Sequence, residues 1–161
     1  MVGLVALSEA AFREYREELS RDYAQDKVRA GVWSAEEAED RAARDLDELL
    51  PEGTATKGHF LYAVRDESVQ ATVGNLWLAV FESSVGRSVW VYDILIHEQF
   101  RRQGYGARTL GLLEEKAREL GAGSVGLHVF GHNDAARALY AKTGYDTTSI
   151  VMSKRLDAGE G

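Results

Sequence analysis

The segment Ile94-Leu95-Ile96-His97-Glu98-Gln99-Phe100-Arg101-Arg102-Gln103-Gly104-Tyr105-Gly106-Ala107 has the pattern of a phosphate cradle. An apolar run that reads as a strand ends, a short basic turn follows, and a helix begins. The first turn of a helix leaves backbone N–H groups unpaired at the positive end of its dipole. Such an end holds phosphate when no side chain blocks the backbone. Gly104 and Gly106 carry no β-carbon that would block it, and Arg101 and Arg102 add positive charge. This is the layout a diphosphate needs. A Gly-x-Gly before a helix is also an ordinary turn, so the spacing by itself leaves both readings open. No Gly-Lys-Ser/Thr follows, which excludes a P-loop. The helix has no third glycine at the required place, and the strands before it read as a meander, which sets a dinucleotide fold aside.

Further along, Asn133 and Tyr140 are seven residues apart, close to two helical turns, so one helix face presents both. Asn133 is also a favoured helix N-cap, and Tyr140 also suits a core. Asp93 sits on a strand among Val91, Tyr92 and Leu95, where a lone carboxylate is unexpected. It is either a hydrogen-bonded structural residue or a functional one. His128 lies in an apolar strand and His132 in a turn before a helix; each has a structural reading. No pairing of His with carboxylates shows ligand spacing, so no metal is expected. Without cysteine there is no thiol nucleophile or disulfide, and no Gly-x-Ser-x-Gly elbow supports a serine nucleophile.

The elements that must position these residues follow from periodicity and punctuation. Val2–Leu7 reads as a strand, and Ser8 caps a helix reaching about Ala30, closed by Gly31. Leu7, Ala11, Tyr15 and Leu19 recur at the spacing of one helical face. Ser34-Ala35-Glu36-Glu37 reads as a capping box that starts a second helix ending near Leu50, before the loop Pro51–Gly58. His59–Arg65, Val69–Phe81 and Arg87–His97 read as strands joined by turns at Asp66–Ser68 and Glu82–Gly86. A helix is expected over Gly104–Leu120, a strand over Val125–Phe130, a helix over Asn133–Thr143 and a last strand region over Tyr145–Leu156. The tail Asp157–Gly161 is expected to fray. The fold class is mixed α/β, with one central, mostly antiparallel sheet flanked by helices.

The length of 161 residues fits a single domain, 1–161, with an ordinary composition of 45% hydrophobic and 28% charged residues. Residues 1–58 supply the first strand and two helices, and 59–156 the meander and the cradle. The net charge of −7 argues against general nucleic-acid binding. Residues 1–50 hold 7 Lys/Arg against 13 Asp/Glu, which either is a solvated helical surface or attracts a cationic substrate. No signal peptide or membrane-length apolar run is read, so a cytoplasmic location without membrane partners is expected.

On the loop Arg101-x-x-Gly104-x-Gly106 after an apolar strand, with Asn133, Tyr140 and the pair Gly144-Tyr145, the sequence resembles the GNAT superfamily of N-acetyltransferases, in particular stand-alone bacterial members. The stretch Leu127-His128-Val129-Phe130-Gly131-His132-Asn133 has the same look, and the resemblance covers roughly 59–156. Glu98 departs from the Pro that many members have there.

The resemblance implies the acyl-CoA N-acyltransferase fold, with acetyl-CoA as co-substrate and an amine of a small molecule or peptide as acceptor. It implies a β-bulge in Arg87–His97 and a splay of that strand from Val125–Phe130, with the pantetheine arm lying in the gap like an added strand. Backbone groups of Ile94 and Ile96 would pair with the arm, an amide near Leu95 or Ile96 would polarise the thioester carbonyl, and the amides of Arg102, Gln103, Gly104, Tyr105, Gly106 and Ala107 would hold the pyrophosphate beside Arg101. Asn133 would touch the pantetheine. Tyr140 would protonate or hydrogen-bond the departing thiolate. An amine must lose a proton to attack, and Asp93 is the first candidate base, with His128 and His132 next. Tyr15, Tyr23, Trp33, Trp77 and Tyr92 are the aromatics that would line the acceptor site or pack the core. Many relatives dimerise, and a C-terminal edge strand offers a route to a homodimer. Two other readings stand beside the enzyme: a non-catalytic acyl-CoA sensor of the same fold, and an interaction protein whose glycine loop is only a turn.

Overall fold

In the computed structural model, which describes residues 1–157, five strands lie in the order of the sequence, β1 to β5. They are β1 (Val2–Ala6), β2 (His59–Asp66), β3 (Ala71–Ser83), β4 (Gly86–Ile96) and β5 (Ser124–Leu127). The first four pair antiparallel and β5 joins β4 in parallel. The helices are α1 (Glu9–Arg29), α2 (Ala38–Leu49), α3 (Tyr105–Glu119) and α4 (Asp134–Lys142). The mixed, mostly antiparallel sheet flanked by helices is the one expected.

Period-two alternation sends the two faces of the sheet to different cores. Leu76, Leu78, Val89 and Val91 face α3, where Leu110 and Leu113 are at most 1% exposed. Burying each of these leucines contributes roughly 2 kcal/mol. On the other face Leu61 and Trp77 pack against Phe12 and Tyr15 of α1 and Leu46 of α2. The chemistry sits on this second face and on the edge beyond β4.

Four expectations are corrected. The Ser34 capping box does not form: Trp33 is buried with Ala24, Ala38 and Ala42, the chain turns through Glu37, and α2 starts at Ala38. Tertiary packing here overrides a local cap signal. The turn after β2 also runs longer than Asp66–Ser68, with Gln70 in the left-handed region at φ 53, so β3 starts at Ala71. β5 ends at Leu127, not Phe130, because the β4–β5 ladder stops at Val91↔Leu127, one residue before β4 bulges. Finally, Tyr145–Leu156 joins no strand. Ile150, Val151, Met152 and Leu156 are 72–93% exposed, and a β-rich sequence forms a strand only where an edge receives it. The expected fraying of the tail lies, beyond Asp157, outside the described residues.

Candidate active site

The site is organised by what β4 does after Val91. Leu78 pairs with Val91 but Trp77 pairs with Asp93, so Tyr92 is an extra residue that bulges the strand. A bulge bends its strand and increases its twist. β4 then runs on to Ile96 with no β5 paired beside it, so its outer edge is open beyond Val91. His97 donates its N–H to the Val73 carbonyl at 2.8 Å, toward β3. Backbone groups alternate along a strand, so those of Ile94 and Ile96 point into the gap. Leu95 does not: its carbonyl lies against Gly74, where an added β-carbon would sit 2.0 Å from the oxygen. This leaves Ile94 or Ile96, rather than Leu95, to aim an amide at a carbonyl in the gap. The side chains of Ile94 and Ile96 pack into the α3 core.

The cradle follows. Arg102 at φ 63 and Gly104 at φ 81 take left-handed backbone conformations, and Gly104 caps α3. Arg108 makes the first helical bond, to the Gly104 carbonyl. Among the described residues, no amide from Arg102 to Ala107 donates to a protein acceptor. These amides form an anion-binding concavity at a helix N-terminus. The two glycines do different things. A β-carbon on Gly104 would meet nothing, so glycine is needed there for its backbone angle and leaves open space above the amides. A β-carbon on Gly106 would come within 2.9 Å of the Leu139 side chain, so this glycine lies where α4 packs against α3. Arg101 folds back, its Nε donating to the Ile96 carbonyl at 2.9 Å. Its side chain borders a hollow of about 420 Å³ shared with Glu18 and Asp22 of α1, Leu95 and His97.

Asp93 lies on the α1 face of the bulge. The Tyr15 hydroxyl, on a residue 3% exposed, donates to its Oδ2 at 2.6 Å. Burial pushes the Asp93 carboxyl up to about 7, the Tyr15 hydrogen bond opposes this, and the charges of Asp22, Glu18 and Asp26 add to it. Tyr15, Glu18, Asp22 and Asp26 fall on one stripe of α1, whose acidic side is turned toward Asp93. Burial also raises Asp22, with help from Glu18 and Asp26. Tyr140 stands on α4, with its hydroxyl raised to about 12 by burial and then by the charges of Asp93 and Tyr145. Its ring lies 5.7 Å from that of Tyr145.

The remaining candidates divide. Trp77 and Tyr92 stack at 4.6 Å beside Asp93, and Trp77 Nε1 donates to His59 Nδ1 at 3.0 Å. Tyr23 and Trp33 form a separate cluster at the far end of α1, edge to face at 5.4 Å, with the Lys27 ammonium between them and Phe130. Asn133 caps α4, its side chain accepting from the Ala136 N–H at 3.2 Å. His128 is exposed. His132 stacks on Phe130 and approaches Asp26 of α1 at 3.5 Å. The contact that sequence reasoning missed is that of Tyr15 with Asp93, because Tyr15 reads as one more apolar residue on the α1 face.

A bulged strand parting from a parallel neighbour, with free helix amides at its end, is the framework of the acetyltransferase class that the motifs imply. The Acetyltransferase (GNAT) family pattern matches residues 9–145. The chain is 35% identical over 155 residues to the uncharacterized N-acetyltransferase YycN of Bacillus subtilis (strain 168), covering 96% of this chain and 99% of that one. It is 31% identical to the uncharacterized N-acetyltransferase YdgE of the same organism, covering 93% and 95%. The crystal structure of YycN superposes with a TM-score of 0.92 at 34% identity, covering 97% of this chain and 99% of that one. AAC(6')-Iy, in complex with the bisubstrate analog CoA-S-monomethyl-acetylneamine, shares the fold with a TM-score of 0.63 at 12% identity, covering 97% and 98%. The chain belongs to the GNAT family of acetyltransferases.

Proposed function

We propose that the protein transfers the acetyl group of acetyl-CoA directly to a primary amine. The observation that carries this reading is the course of β4. One strand presents a desolvated carboxylate at its bulge, an open backbone edge beyond it, and a ring of free amides just past its end. The diphosphate fits the amides of Arg102 to Ala107, and the pantetheine fits the edge of Ile94 and Ile96, in the manner of an added strand. Arg101 leaves the Ile96 carbonyl when the arm takes that edge, and Asn133, the cap of α4, is the residue that would touch the pantetheine.

The acceptor arrives as an ammonium, drawn by the acidic stripe of α1. Asp93 takes a proton from it, and the freed nitrogen attacks the acetyl carbonyl. An outward amide of β4 receives the charge that develops on the carbonyl oxygen. The new N–C bond forms as the C–S bond breaks, the electron pair leaves on sulfur, and the second proton of the nitrogen goes to that thiolate, which departs as the thiol. Tyr140, with a pKa near 12, stays protonated at neutral pH and offers its hydrogen to the thiolate. A thiol of pKa about 8.5 is the stronger acid, so Tyr140 hydrogen-bonds the thiolate rather than giving up its proton to it. The test is thiol release from acetyl-CoA with a panel of primary amines at pH 8. Release with at least one amine, and acetylated product by mass, is expected. Tight coenzyme binding without product from any amine would favour the sensor.

Two results are expected around the site. Gly104→Val forces a β-branched residue into the left-handed region and places its side chain over the amides, so the Kd for acetyl-CoA, read by calorimetry, rises at least about tenfold. Tyr15→Phe removes the hydrogen bond that holds the Asp93 pKa down. The acid limb of kcat/KM therefore moves to higher pH than in the wild type, and a limb that stays in place would contradict the pairing.

A further inference from the structure

One buried carboxylate ties the first turn of α3 to the far end of the β2–β3 hairpin. Asp66, the last residue of β2, is 3% exposed. Its Oδ2 accepts from the Tyr105 hydroxyl at 2.6 Å. Its Oδ1 accepts from the Ser68 N–H at 2.9 Å and the Ser68 hydroxyl at 2.6 Å. The bonds from the Ser68 side chain, Tyr105 and the Ser68 backbone hold the carboxyl far below the usual range, so it accepts as an anion.

Tyr105 is the first residue of α3 and stands in the middle of the amide ring. It is 4% exposed, with the Phe100 ring edge-on at 6.1 Å and the Arg108 guanidinium over its face at 4.4 Å. The loop before it holds two left-handed residues, one of them the non-glycine Arg102. Such a loop keeps its shape only where surrounding contacts over-determine it. Its amides have no internal acceptor among the described residues, and besides the Arg101 bond to the Ile96 carbonyl, the anchor at Tyr105 is a buried polar contact that reaches the cradle from the sheet. A ligand site that is already in place spends less of its binding energy on ordering.

We propose that Asp66 is a positioning residue for the coenzyme loop, acting through the Tyr105 hydroxyl to hold the amides of Arg102 to Ala107 in the arrangement that receives the diphosphate. The inference rests on the reading of that loop as the coenzyme site. The two oxygens of Asp66 separate a positioning role from a purely structural one, because Oδ1 serves the hairpin turn, with the Met1 ammonium 3.5 Å away, and Oδ2 serves the loop.

The experiment is calorimetric titration of acetyl-CoA into the wild type, Tyr105→Phe, Asp66→Asn and Ser68→Ala, with Tm, kcat and KM measured beside it. Tyr105→Phe keeps the ring and its packing and removes only the bond to Oδ2. It is expected to raise Kd about tenfold, with a larger change in KM than in kcat. Ser68→Ala lowers Tm but leaves Kd within about twofold. The double variant Asp66→Asn with Tyr105→Phe binds no more weakly than the weaker single variant, because both remove one link. A fall in Tm with unchanged Kd in Tyr105→Phe, or an equal rise in Kd in Ser68→Ala, overturns the positioning role and leaves the loop assignment standing. A wild type that binds no coenzyme A species overturns both.

Discussion

Asp93→Asn is expected to lower kcat by about two to four orders of magnitude, the span that a positioned general base contributes. The change is nearly isosteric. It keeps an acceptor for the Tyr15 hydroxyl and removes only the ability to take a proton. A base with a pKa of about 7 is half ionised at neutral pH, where it combines availability with enough strength to deprotonate an amine in transit. The wild-type kcat/KM should therefore rise through pH 7 and level off above it, and this limb should vanish in Asp93→Asn. Stability gives a second readout with a definite sign. The folded-state pKa of Asp93 lies above its value of 3.8 in an unfolded chain, so the folded protein binds the extra proton between about pH 4 and pH 7. Wild-type stability falls across that window, and the full cost of the buried charge is present above it. The Asn variant carries no such charge, so its Tm relative to wild type climbs from pH 4 to pH 8. A variant with normal kcat would move the base to a water chain or to His132.

Tyr140→Phe is expected to lower kcat about a hundredfold while the Kd for acetyl-CoA changes by less than about twofold. The hydroxyl meets charge that exists on sulfur only as the C–S bond breaks, so its loss weakens the transition state and not the bound ground state. Burial and the neighbouring Asp93 charge hold the phenol protonated to about pH 12, so no alkaline limb from Tyr140 should appear below pH 10. Stopped-flow thiol release at saturating acetyl-CoA reads this step directly. A variant whose Kd rises and whose kcat holds would make Tyr140 a packing residue of the α4 face.

The parts of this site that are legible in the sequence obey local rules. Gly104 must be glycine because its backbone is left-handed, and a helix N-terminus after an apolar strand advertises itself through that glycine. Asn133 shows as a cap for the same kind of reason. Asp93 stands out because a charge on an apolar strand needs an explanation. What is not legible depends on residues far apart in the chain. Tyr15 and Asp93 are 78 positions apart, and Tyr105 and Asp66 are 39 apart. In each pair a tyrosine reads as an apolar member of its helix until the fold supplies a carboxylate. Gly106 looks like a second phosphate glycine, and only the packing of α4 shows that Leu139 also lies against it. The end of β5 is not legible because the apolar run to Phe130 carries no mark of the bulge across from it. The exposed course of Asp146–Asp157 outside any strand shows the same limit from the other side, since strand-forming residues specify no strand without an edge to join.

The most direct test of the account is calorimetric titration of the purified protein with acetyl-CoA, set beside NAD. Binding of acetyl-CoA with a Kd on the order of micromolar, about −8 kcal/mol, and none of NAD is the predicted result. A folded sample that binds neither, or binds both alike, would contradict the assignment of the Arg102–Ala107 amides as a coenzyme A cradle and with it the catalytic reading of Asp93 and Tyr140.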